Sequence, residues 1–170
     1  MPSLRSKMPP SCRHQRQKQS GVDVCSDGEF RRSGFQWDLI EAVDGYVDTT
    51  VAVVERMCQG GASEEQPERQ GTTQAVGARL KQTRRLTDTQ SAFMKANAPG
   101  PFKMTVPSAN QFPTLGFQPG LTDQFYKDRS ELLWDIASII KAEIAALAGE
   151  GVPYIQVDAP RYAYYVDPKW

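Results

Sequence analysis

The stretch from Phe102 to Asp158 restricts the fold more than any other part of the chain. Phe102–Val106 is a short, strand-like apolar run that stops at Pro107, and a loop bearing proline and glycine follows over 108–122. Leu133, Ile136, Ile140, Ile144 and Leu147 then recur at i, i+3, i+4 spacing, the stripe of a helix with one buried face. Asp128 and Glu131 stand at capping-box spacing ahead of that helix, and Gly149-Glu150-Gly151 closes it. Val152–Val157 is a second strand-like run. Two strands joined through a helix run parallel, because a crossover of that length is not a hairpin.

The same alternation is legible upstream. Gln15–Ser20 reads as the end of a helix closed by Gly21, and Val22–Cys25 as a buried strand. Phe35, Leu39, Ile40 and Val43 predict a helix from about Arg31 to Val43. Tyr46–Met57 is rich in β-branched residues and suits an extended segment or hairpin. Residues 59–77 have almost no apolar content and are expected as a surface loop, and Arg79–Leu86 as a further strand. Thr87 or Asp88 is placed to cap a helix running to Ala96. The result is an α/β order of parallel strands with helical crossovers. A doubly wound sheet and a (β/α)8 barrel both fit it.

Bulk properties narrow the function. The 170 residues suffice for one domain with a core. Twenty Lys+Arg balance 20 Asp+Glu, so nothing global favours a nucleic-acid or membrane partner. No apolar run reaches the about 18 residues of a membrane span. Arg5, Lys7, Arg13, Arg16 and Lys18 make the start basic, without the apolar core of a secretory signal. Residues 1–15 are expected as a disordered basic leader, with a nucleic-acid arm as the other reading. Cys12, Cys25 and Cys58 are odd in number and form no CxxC pair, which suits a reducing, cytoplasmic setting.

In both architectures ligands sit beyond the carboxyl ends of the strands. Asp27 and Glu29 follow the first strand, and Pro107, Ser108 and Asn110 the third. Asp158 and Arg161 follow the fourth, with Gln156 inside it. Carboxylates gathered at one rim suit an ammonium group, a proton or a cation. Each residue also has a structural reading. Asp27-Gly28 is an ordinary turn dipeptide, Glu29 can pair with Arg31 or Arg32, and Asp158 can cap a helix. A buried Gln156 must find partners in a neighbouring group or in a ligand. Cys12, His14 and Cys25 are a conceivable metal set, but no second ligand pair follows at zinc spacing. No phosphate loop and no nucleophile triad is present, so no catalytic residue is assigned.

Three blocks carry a family resemblance. Val22-Asp23-Val24-Cys25-Ser26-Asp27-Gly28-Glu29-Phe30-Arg31-Arg32, preceded by Gln19 and Gly21, resembles the G-[IV]-D-x-x-x-D-G-E-x-x-R segment of the cobalamin-independent methionine synthases. Lys103-Met104-Thr105-Val106-Pro107-Ser108 resembles their K-x-T-[LV]-P-[SG] strand. Glu143-Ile144 through Gly151 to Ile155-Gln156-Val157-Asp158-Ala159-Pro160 resembles E-[IV]-x-x-L-x-x-x-G-x-x-x-I-Q-[IV]-D-E-P. The resemblance implies a (β/α)8 barrel of which residues 16–170 supply roughly strands 2 to 5. It implies zinc-dependent transfer of a methyl group from a methyltetrahydrofolate-like donor to a homocysteine-like thiol, in methionine biosynthesis. It also implies substrate-binding roles for Glu29, Asp158, Asp27, Gln156 and Ser108.

Two departures stand out. Ala159 replaces the glutamate of D-E-P, as in shorter members, some of which alkylate other thiols such as coenzyme M. The zinc ligands of the family come from strands after the I-Q-[IV]-D strand and are not in this chain. The resulting expectations are an incomplete fragment that self-associates through open sheet edges, or a catalytically inactive remnant or interaction fragment.

Overall fold

The computed structural model describes residues 10–53, 69–112 and 116–160. Helix α1 (Pro10–Gln19) opens the described chain, so residues 10–15 of the expected leader are helical. A proline costs nothing at the first position of a helix, where its missing N–H has no partner to lose. Gly21, at φ +78°, ends α1: Val22 N–H donates to Gln17 and Gly21 N–H to Lys18. This is the paired C-terminal bonding that a left-handed glycine permits.

The next two expectations need correction. Val22–Cys25 is not a full strand: Val22 is exposed, and only Cys25 pairs, as a parallel bridge to Phe102. Beyond Cys25 the Gln17 side chain holds both backbone groups of Ser26, and the chain then turns away. The helix expected over 31–43 is shortened to α2 (Trp37–Ala42). Ser33 and Gly34 interrupt it, and Arg32 is drawn sideways to the Thr105 carbonyl.

Strand β1 (Val43–Val53) pairs antiparallel with β2 (Arg69–Gln82). Of the two readings of 46–57, the extended segment holds through Val53: β1 is one strand, and its partner lies at 69–82, outside that stretch. Residues 69–77, expected as part of a surface loop, lie in β2 instead, and 54–68 fall outside the described residues. Cross-strand pairing supplies what composition lacks, since backbone hydrogen bonds need no apolar side chain. The strand expected over 79–86 is only the end of β2, so it is antiparallel and outside the parallel set.

Helix α3 (Asp88–Asn97) follows Thr87, whose hydroxyl bonds Glu143 instead of capping the helix. Strand β3 (Lys103–Pro107) leads to helix α4 (Arg129–Gly149) and then to strand β4 (Tyr154–Asp158), parallel to β3. This is the expected strand–helix–strand crossover. Asp128 accepts from Glu131 N–H at the start of α4. Gly151, at φ +75°, ends the helix with Val152 N–H on Leu147 and Gly151 N–H on Ala148. Among the described residues the parallel set is thus Cys25, β3 and β4, three segments where four were expected.

α4 joins two cores. Leu132, Ile136, Ile139 and Ile140 pack with Leu39, Val76, Leu86, Phe112 and Tyr126. Leu147 packs with Cys25, Met94, Phe102, Met104, Val106 and Val152, and Ile144 touches both groups. Each fully buried aliphatic side chain contributes about 1.5–3 kcal/mol.

Candidate functional site

The register of β3 against β4 divides their side chains by face. Lys103, Thr105 and Pro107 share a face with their partners Tyr154, Gln156 and Asp158. Met104 and Val106 point the other way and are buried against the helices. Polar groups are therefore confined to the face that the helices do not cover. Lys103 Nζ donates to Gln156 Oε1 at 2.7 Å, and Gln156 Nε2 donates to Asp158 Oδ1 at 2.6 Å. Beyond the strand ends Ser108 N–H bonds the Asp158 carbonyl at 2.8 Å, and its hydroxyl donates to Asn110.

A second cluster follows Cys25. Asp27 Oδ1 accepts Glu29 N–H at 2.9 Å, the side-chain turn that aspartate forms readily. Gly28 and Glu29 both have left-handed backbone, φ +66° and +60°. At φ +66° a side chain at Gly28 would be strained, and its Cβ would stand 2.8 Å from the Phe30 ring, which would have to shift. Glu29 is the one non-glycine residue with positive φ among the described residues. Such a conformation costs about 1–3 kcal/mol and persists where surrounding structure imposes it. Arg32, 4% exposed, supplies part of that structure by pairing with Glu29 and, at 3.4 Å, with buried Asp38. Gln90 donates to the other Asp38 oxygen at 3.0 Å. Burial still holds the Asp38 pKa above its ordinary value, against the opposing pull of Arg32 and Gln90. One oxygen of Asp27 and Nε of Arg32 are buried without a hydrogen-bond partner, while Arg32 Nη2 has the Glu29 carboxylate.

The two clusters are tied together. Arg32 Nη1 donates to the Thr105 carbonyl at 3.3 Å, and Thr105 is the register partner of Gln156. Gln36 Nε2 donates to the Gln111 carbonyl at 3.1 Å, joining the same two loops. The parallel bridge at Cys25 sets Asp27 and Glu29 on the carboxyl side of their segment, as Asp158 is of β4. Glu29 and Asp158 make no hydrogen bond or ion pair with each other among the described residues.

Comparison with known proteins decides the family. The model of the cobalamin-independent synthase catalytic domain matches residues 12–165. This chain belongs to that family. Within the curated proteins it is 29% identical over 157 residues to the uncharacterized protein YxjH of Bacillus subtilis (strain 168), and 27% identical over 156 residues to YxjG of the same organism. Each match covers 91% of this chain and 39% of the relative. A solved B12-independent methionine synthase from Shewanella sp. W3-18-1, in complex with selenomethionine, superposes with a TM-score of 0.65 at 23% identity. That match covers 88% of this chain and 39% of the synthase, and shows a shared α/β fold.

The family's zinc has no site in what is described: no group of three or more His, Cys, Asp or Glu is placed to hold a metal among the described residues. Cys25 is a free, buried thiol inside a core, while Cys58 and Arg161 lie outside the described residues. No described helix is long and apolar enough to cross a membrane.

Two functional candidates were invisible to strand-end reasoning. Lys103 lies at the start of its strand, and Arg32 sits in what reads as a surface helix. A signal for Lys103 existed in a cation alternating with Phe102, Met104 and Val106. A signal for Arg32 existed in its place at the end of the D-G-E-x-x-R block.

Proposed function

We propose that this chain supplies the amino-acid-binding rim of a thiol S-methyltransferase of the methionine synthase type. Glu29 and Asp158 are the carboxylates that receive the ammonium group of a homocysteine-like thiol. Asp27 shapes the loop that carries Glu29, Ser108 holds the Asp158 carbonyl through its N–H, and Gln156 orients the Asp158 side chain. One observation carries the reading. Two strand-end carboxylates from distant parts of the chain are linked through Arg32 and Thr105, and one of them is held in a costly left-handed conformation. An ionised carboxylate is the natural acceptor for an ammonium group. Selenomethionine, the ligand named for the Shewanella synthase, belongs to the same α-amino-acid class.

In this reading Cys25, β3 and β4 are neighbouring strands of a (β/α)8 barrel, which takes about 250 residues in full. The chain spans 39% of its relatives' length, so methyl transfer from a methyltetrahydrofolate-like donor belongs to the complete barrel. Thiol activation by zinc is what the family resemblance implies, and no step through zinc is assigned to the residues described. A reducing cytoplasm suits both the free cysteine and a thiol substrate.

Calorimetric titration tests the proposal. L-homocysteine should bind, and Asp158→Ala should abolish binding. Coenzyme M, a sulfonate without an ammonium group, should bind more weakly at two carboxylates. Equal affinity of the wild type and Asp158→Ala for L-homocysteine would sink the assignment.

A further inference from the structure

We propose that Lys103 is a positioning residue: it sets the orientation of the Gln156 amide and, through it, of the Asp158 carboxylate. The proposal rests on the reading of Asp158 as the ammonium-binding group and deepens it.

The argument is one of donors and acceptors. A lysine ammonium has three donors and no acceptor, an ionised carboxylate has acceptors only, and a glutamine amide has one end of each kind. Gln156 lies between Lys103 Nζ at 2.7 Å and Asp158 Oδ1 at 2.6 Å. Only one orientation of the amide satisfies both neighbours, with the oxygen on lysine and the nitrogen on aspartate. The reverse would set NH2 against ammonium and carbonyl against carboxylate. With the lysine removed, half of that discrimination is gone.

The consequence reaches the ligand side. Gln156 occupies Asp158 Oδ1, and among the described residues Oδ2 accepts no hydrogen bond. The relay therefore leaves a defined oxygen for an incoming cation. All three side chains project from the same face of two paired strands, so the relay crosses from β3 to β4 without a loop. Strand-borne groups hold position better than loop-borne ones.

The test uses the chain as it is. The side-chain amide of Gln156 is followed by 15N–1H NMR in the wild type and in Lys103→Met, Lys103→Arg and Asp158→Asn. Backbone amides of β3 and β4 report that each variant is folded. In the wild type the two amide protons should be well separated and slow to exchange. Lys103→Met should collapse the separation and speed exchange, and Lys103→Arg should restore both. L-homocysteine affinity should fall on the order of tenfold in Lys103→Met, the worth of about one hydrogen bond to a charged group. Wild-type amide signals in Lys103→Met, alongside altered ones in Asp158→Asn, overturn the proposal, as does loss of amide order with no loss of affinity. If Asp158→Asn leaves L-homocysteine affinity intact, the substrate reading fails and the amide signals alone decide the relay. If Asp158→Asn abolishes binding while Lys103→Met keeps both wild-type signals and affinity, the relay fails and the substrate reading stands.

Discussion

At the scale of single residues, buried charge decides most. Arg32 and Asp38 are 4% and 7% exposed in their side chains, and each has the other as a charged partner. Removing one member strands the other in a poorly hydrated site. Arg32→Met is expected to destabilise the fold by about 3–5 kcal/mol, and adding Asp38→Leu should recover much of the loss. Urea unfolding of the two single variants and the double variant measures the coupling. Tyr126 is a second such residue. Its hydroxyl accepts from Leu80 N–H at 2.8 Å and donates to Asp135. Its pKa is pushed up to about 12, by burial first and by the Asp135 bond next. Tyr126→Phe should cost about 1–3 kcal/mol, because the Leu80 N–H is left without its partner. Gln156 and Asp158 were legible in the sequence because a polar group in an apolar strand is conspicuous. The pairing of Arg32 with Asp38 was not, since nothing local distinguishes a buried ion pair from a solvated one.

At the scale of elements, α4 is the piece on which the others depend. The sequence stripe runs through Leu133, whereas the buried line runs Leu132, Ile136, Ile139, Ile140, Glu143 and Leu147. Packing on two cores brings Leu132, Ile139 and Glu143 into the buried face beside the i, i+3, i+4 stripe. Ile136→Ala should cost about 2–5 kcal/mol, the range for deleting buried methyl groups. Trp134, 72% exposed on the same helix, should tolerate glutamine within about 0.5 kcal/mol. Glu143, 1% exposed, fastens α4 to the turn before α3. It accepts from Arg85, from the backbone N–H groups of Leu86 and Thr87, and from the Thr87 hydroxyl. Burial alone would raise its pKa, but these donors outweigh burial and leave it below the ordinary 4.5. The unfolded carboxylate therefore takes up its proton at higher pH than the folded one does. Its stabilisation is complete above the ordinary value and is lost as pH falls through the lowered one. Denaturation at a series of acid pH values should show this limb in the wild type and a flatter one in Glu143→Gln.

For the whole molecule, the open question is what covers the sheet. Among the described residues β4 has a neighbour on one side only, and Tyr154 and Val157 are 50% and 48% exposed. An uncovered strand edge offers backbone donors and acceptors to another chain. We propose that isolated chains associate through this edge. Sedimentation should show a mass that rises with concentration, and Val157→Lys should lower it. A single monomeric species at every concentration would contradict the idea.

By itself the sequence determined the α/β order, the extended segment from residue 46, the capped and glycine-closed α4, and the strand-end polar residues. These depend on periodicity, on caps and on turn chemistry, all of which act within a few residues. Only the tertiary structure decided that β2 extends through a polar stretch and that Cys25 contributes a single bridge. It alone paired Arg32 with Asp38 and aligned Lys103, Gln156 and Asp158. Those outcomes depend on which distant segments share a face or a register, and no short-range pattern encodes that.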